Sequence, residues 1–256
     1  METRHINRMT WKDYASRIPE GIIILPVGST EQHSQHLPLG VDAIITENIA
    51  LAVAEDVGAV VAPTLAYGYK SQPSSGGGPL FPGTIDLNGA TLTNLIKDIL
   101  IELLDDGWQK IVILNGHFEN EAFLIEAADL VLRRQKESFP KVLVTSWWDN
   151  ISDDILPDLF DEVPFAGWAL EHAAIVETSA MMYFTPELVH EDRFLEEGLE
   201  KVPPYHCFPP SPDLLPASGN LHTPRSSSAE KGRLLVENVI KNLGVIIDRE
   251  FRSERI

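Results

Sequence analysis

Two short segments hold the side chains with the greatest chemical potential. Glu31-Gln32-His33-Ser34-Gln35-His36 is followed closely by Asp42, and Asn115-Gly116-His117-Phe118-Glu119-Asn120 lies much farther along the chain. Each segment has a carboxylate and an imidazole two positions apart, and in extended backbone residues i and i+2 project to the same side. Glu31, Asp42 and Glu119 offer carboxylates, while His33 and His117 offer imidazoles. Three carboxylates gathered without a cation would repel one another or be forced to protonate. Two divalent cations remove that conflict, and a carboxylate bridging metals roughly 3.5–4 Å apart is the arrangement of two-metal hydrolysis. Mixed nitrogen and oxygen donors without thiolate suit zinc or manganese better than calcium. The spacing points to a dinuclear metal site and leaves the reaction open. A hydrolase and a metal-stabilised binding module would both use it.

Such a site needs a scaffold that brings the two segments together. Residues 21–27, 59–63, 110–115 and 142–146 are short apolar runs rich in β-branched side chains, which predicts buried strands. Residues 43–57, 91–106, about 120–137, 171–184 and 229–247 have helical spacing. The clearest is 91–106, where Leu92, Leu95, Ile96, Ile99, Leu100, Leu103 and Leu104 share a face. Thr91 is its candidate N-cap, and Gly107 stands just past its end. Apolar strands without period-2 polarity, alternating with helices, predict an α/β fold with a mainly parallel sheet covered on both faces. Ligands of such sheets bind beyond the carboxyl ends of the strands, where the loops after the first and third strands converge. Asp42 would return to that point from the start of the next helix. Two irregular stretches, 70–83 and the Pro-rich 203–224, have the length of functional loops. No linker interrupts the pattern, so residues 1–256 are expected to form one domain.

The balance of charge excludes several classes of partner. The 256 residues include 20 Lys+Arg against 38 Asp+Glu, a formal net charge of -18. A field of that sign repels phosphate backbones and anionic lipid, so neither nucleic acid nor membrane is an expected partner. No run is apolar for long enough to span a bilayer. The polar N-terminus and the single cysteine, Cys207, fit a cytoplasmic protein. Gly76-Gly77-Gly78 lacks the Gly-Lys-Ser/Thr ending of a phosphate loop, and neither Ser29 nor Ser179 sits in a Gly-x-Ser-x-Gly elbow. Cys207 and His206 are adjacent in sequence, where side chains diverge, so a thiol mechanism is not expected. Neighbouring positions on a strand alternate faces, so Trp147 and Trp148 are not both expected to point inward.

Gly28-Ser29-Thr30-Glu31-Gln32-His33 with His36-Leu37-Pro38-Leu39 and Asp42 resembles the signature of the creatininase family of metal-dependent amidohydrolases. Asn115-Gly116-His117 with Asn120, and Glu177-Thr178-Ser179, are similar to its other motifs. Further segments narrow the likeness to the creatinine-hydrolysing branch: 67–72, 75–78, 81–84, 89–93, Gly167-Trp168, Glu171-His172 and Pro203-Pro204-Tyr205. The resemblance implies a three-layer α/β/α sandwich, a homo-hexamer, and two divalent metal ions per subunit, zinc and/or manganese. It implies that Glu31, Asp42 and His117 hold one metal and His33, Asp42 and Glu119 the other, with Asp42 bridging. It also implies His172 as acid/base residue, Glu177 as an acidic pocket residue, and Trp148 and Trp168 as walls for a small-molecule substrate. Ser75, Gly76 and Phe118 would complete the substrate side. The implied reaction is reversible opening of creatinine to creatine: water activated by the metals attacks the ring carbonyl, Glu119 takes a proton from the water, and His172 protonates the departing ring nitrogen. This sequence departs from the family pattern at three places. Phe118 stands for a tyrosine, Ser34-Gln35 for Gly-Pro, and Ala173-Ala174 for a glycine pair. The first keeps another small cyclic or formylated substrate open, such as a keto-inositol or a formamidopyrimidine.

Overall fold

In this computed structural model, which describes residues 3–137, 139–202 and 204–252, successive strand residues are buried on opposite sides of one sheet. The elements run α1 (Trp11–Ala15), β1 (Ile23–Val27), α2 (Val41–Val57), β2 (Val60–Val61), α3 (Gly89–Asp105), β3 (Lys110–Asn115), α4 (Glu121–Leu132), β4 (Lys141–Ser146), α5 (Leu156–Leu159), α6 (Ile175–Phe184) and α7 (Ala229–Phe251). The strands lie in the order β2-β1-β3-β4, and every described pairing is parallel. Ile24, Val112 and Leu114 face α2, α6 and α7 in one apolar core. Ile23, Leu25, Ile111 and Ile113 face α3 and α4 in the other. The result is a parallel sheet between two helical layers, as apolar strands alternating with helices require. Among the described residues no helix is long and apolar enough to cross a membrane.

Element boundaries shift for local reasons. The run 59–63 contributes only Val60–Val61 to the sheet, as the edge strand beside β1, where a following Pro63 is tolerated. The third helix begins at Gly89 with Asn88 at the N-cap position, ahead of Thr91. The helix expected from 171 begins at Ile175 instead. Ala173 has φ 54°, a left-handed conformation that a right-handed helix cannot include. Ser34 has φ 58°. Ser34 and Ala173 both stand where the family pattern has glycine, the residue that adopts such angles without a Cβ penalty.

Close backbone approach sets the position of the strand ends relative to α2. A Cβ at Gly116 would run into Thr46 Oγ1 and lie 2.7 Å from the Asp42 carbonyl oxygen. The end of β3 therefore rests directly on the first turns of α2, which carries Asp42 to the mouth of the sheet. Gly116→Ala should cost about 1–3 kcal/mol by forcing these elements apart, read as a lower midpoint in urea unfolding. Ser34→Gly should act in the opposite direction, raising stability by about 1 kcal/mol through relief of left-handed strain, measured by the same unfolding curve.

Candidate functional site

Beyond the carboxyl ends of β1 and β3, two imidazoles each face a pair of carboxylate oxygens. His117 donates from Nε2 to the Tyr69 carbonyl at 3.0 Å. Its Nδ1 is then a lone-pair donor, 3.1 Å from Glu31 Oε1 and 3.1 Å from Asp42 Oδ2. His33 shows the same pattern with its nitrogens exchanged. Nδ1 donates to the Glu31 carbonyl at 3.2 Å, and Nε2 lies 3.1 Å from Asp42 Oδ1 and 3.5 Å from Glu177 Oε2. Asp42 therefore gives one oxygen to each imidazole. An imidazole whose outer N–H is fixed by a carbonyl presents its inner lone pair to a metal, and this second contact sets tautomer and ring orientation.

The electrostatics of the four central residues call for cations. Glu31, His33, Asp42 and His117 are all buried, and Glu31 Oε2, His33 Nε2 and Asp42 Oδ2 have no hydrogen-bond partner. Burial opposes charge on His33, but Glu177 and Asp42 outweigh it and hold its pKa well above the usual value. Burial likewise opposes charge on His117, and Glu31 and Glu119 overcome it in the same direction. Desolvation pushes Glu31 up, while His117, His172 and His33 more than offset it and hold the carboxyl below its ordinary range. A divalent cation would satisfy buried nitrogen and oxygen donors of this kind together. Donor atoms of Glu31, Asp42 and His117 lie within 4.8 Å of one another, as do those of His33, Asp42 and Glu177. The donor set fits divalent metal ions.

Glu119 stands beside this cluster rather than between its members. Its Oε2 is 3.2 Å from His117 Nε2, while Oε1 accepts from the Gln72 N–H at 3.1 Å and from the Ser75 hydroxyl. The sequence expectation joined Glu119 to His33 and Asp42; the structure also brings Glu177 to that pair, with a donor atom of each of the three within 4.8 Å of the others. Glu177 also accepts from the Ala173 N–H at 2.7 Å, so the left-handed turn before α6 aims it inward. Gly76 approaches a site carboxylate rather than open space, since a Cβ there would lie 2.5 Å from Glu31 Oε2. His172 Nδ1 is 3.6 Å from Glu31 Oε1, and its ring lies against His33 with centroids 4.3 Å apart.

Above the cluster opens a cavity of about 470 Å³. Trp148, Trp168, Phe118, Ser75, Gly76 and His172 all line it. Phe118 stacks on Trp148 with centroids 6.3 Å apart and planes 28° apart, which makes a wall for a flat ligand. Trp147 lines the cavity too, although only one tryptophan of the pair was expected inward. Strand alternation does not apply there, because β4 ends at Ser146 and Trp148 starts a 3₁₀ turn. The 70–83 loop supplies Gln72, Ser74, Ser75 and Gly76 to the wall, and the Pro-rich segment supplies Pro204, Tyr205 and His206. Pro203 lies outside the described residues. His36 is buried against Thr178 Oγ1 at 3.0 Å and does not line the cavity. Cys207 is exposed and free.

Two features of the site had no sequence signal of their own. Tyr69 acts through its backbone carbonyl, which any residue type could supply. Glu171 is buried with Oε2 accepting from the Val176 N–H at 3.1 Å and Oε1 unpartnered, and burial pushes its pKa up to about 8. The adjacency of Glu171 to His172 in a family motif was its only mark.

Comparison with known proteins agrees with this geometry. The family model described as creatinine amidohydrolase matches residues 7–247. A creatinine amidohydrolase of Pseudomonas putida is 41% identical over 253 residues, covering 96% of this chain and 96% of that protein. A solved mutant creatininase complexed with creatine superposes with a TM-score of 0.94 at 39% identity, covering 98% of this chain and 100% of the other. A manganese creatininase gives a TM-score of 0.94 at 40% identity, again over 98% and 100% of the two chains. With its parallel sheet, its Asp42-centred donor groups and this degree of likeness, the chain belongs to the creatininase family.

Proposed function

We propose that this protein hydrolyses the ring amide of creatinine to give creatine, reversibly, as a single-domain, dinuclear enzyme of the cytoplasm. The observation that carries the reading is the division of Asp42 between two three-donor groups on the floor of an aromatic-walled cavity. Glu31, Asp42 and His117 would hold one ion, and His33, Asp42 and Glu177 the other. With Glu119 these carboxylates balance the charge of two divalent cations, zinc and/or manganese. Such cations polarise a carbonyl and acidify water. A homo-hexamer is the assembly that the family likeness supports.

The chain's own residues account for the remaining steps. Trp148, Trp168 and Phe118 receive the flat ring and exclude solvent from its faces. Glu119, held by Ser75 and the Gln72 N–H, takes a proton from the attacking water. The carbonyl carbon gains an oxygen, and its bond to the ring nitrogen breaks. His172 protonates that nitrogen as it leaves, and the product carries a free carboxylate. Phe118 supports a second reading, in which the same machinery opens a keto-inositol or a formamidopyrimidine, because no hydroxyl is offered at that position.

Metal analysis and rate measurements separate these roles. Asp42→Asn should take bound metal from about two ions per chain to near none, and Glu177→Gln should remove about one. Glu119→Gln should retain both ions while turnover falls roughly 10²–10⁴-fold. Loss of an ion from Glu119→Gln, with both retained in Glu177→Gln, would exchange the two roles. A metal-loaded parent that leaves creatinine intact but hydrolyses the keto-inositol or the formamide would replace creatinine as the substrate.

A further inference from the structure

We infer that Gln32 is the positioning residue of His172, fixing which ring nitrogen faces the metal cluster by pinning its own backbone between the two long loops. Gln32 is buried and does not line the cavity. Its side-chain amide has two protons, and two carbonyls take them. Nε2 donates to the Gly76 carbonyl at 2.8 Å and to the Gly219 carbonyl at 3.1 Å. Oε1 accepts from the Ser34 N–H at 2.8 Å, and the Gln32 N–H donates to Thr84 Oγ1 at 3.2 Å. One side chain therefore ties the Gly-rich loop, the Pro-rich loop and the His33 turn together.

These ties decide the chemistry of the neighbouring ring. His172 Nε2 lies 2.8 Å from the Gln32 carbonyl oxygen and 3.1 Å from Gln32 Nε2. Since both amide protons are already donated, none remains for His172, and the ring must donate instead. The proton therefore sits on Nε2 and points to the Gln32 carbonyl. Nδ1 is left bare on the side of Glu31, so it is the nitrogen that takes up one of the two protons of the attacking water and passes it to the departing ring nitrogen. A free histidine would populate both tautomers; here one carbonyl selects between them. Gly219 is shaped around the same amide. Its φ is 80°, and a Cβ there would strike Gln32 Oε1 and lie 2.6 Å from Cδ.

Only the rate consequence rests on the proton-donor role proposed for His172; the tautomer does not. Gln32→Met keeps the length without amide protons, and Gln32→Glu turns oxygens toward two carbonyls. Gly219→Ala disturbs the bond from its other end and replaces either variant should it fail to fold. Long-range ¹H–¹⁵N spectra of the zinc-loaded protein, with the His172 signals assigned by their loss in His172→Gln, should show a single Nε2–H tautomer in the parent. The variants should show a mixture, with kcat on creatinine lower by roughly tenfold or more and KM within about twofold. An unchanged single tautomer in the variants, or a rise in KM with kcat intact, would overturn the inference and leave Gln32 as a loop tie alone. If the parent does not turn over creatinine, the proposed substrate fails, and the tautomer spectra still decide the role of Gln32.

Discussion

The structure turns on one buried carboxylate set between two imidazoles. Asp42 is buried at the start of α2 with an oxygen turned to each of two imidazoles, and both imidazoles already spend their outer N–H on a carbonyl. Neither ring has a second proton to offer without becoming a buried cation among several acids. The rest of the architecture serves this arrangement. β1 and β3 are neighbours, so their loops emerge side by side. Gly116 lets β3 touch α2, and the left-handed turn at Ala173 swings Glu177 in from α6. Each device is small, and together they hold buried carboxylates and imidazoles close to one another, where the carboxylates alone would repel.

The loops around this hollow are irregular because their work is done by backbone groups. Tyr69, Gly76, Gly219 and Gln32 contribute carbonyl oxygens, and Gln72 and Ala173 contribute N–H groups. A helix or strand would consume these groups in its own hydrogen bonds. Long coil segments keep them free to orient histidines and carboxylates. The cost is a dependence on a few tight positions where a side chain would collide.

Much of this was legible in the residues. Strand and helix order followed from apolar patterning, and the sheet followed from strands with no polar face. Glu31, His33, Asp42 and His117 were marked by their spacing in two turns at strand ends. Glu177 was harder to place, because a carboxylate on a distant helix has no spacing relation to His33, and the turn that aims it depends on the angle of Ala173. The separation of Glu119 from His117 repeats that of Glu31 from His33, yet a 3₁₀ turn over Phe118–Asn120 takes it off the extended path, so its spacing alone does not tell how its carboxylate meets the cluster. Trp147 likewise escaped alternation because the strand had already ended.

The hold of Ser75 and Gln72 on Glu119 joins the shape of the cavity to the aim of a carboxylate. The same stretch of chain forms part of the cavity wall and carries the two donors that hold this carboxylate. A substitution that reshapes this wall therefore also redirects Glu119, so the form of the cavity and the aim of the carboxylate cannot drift independently.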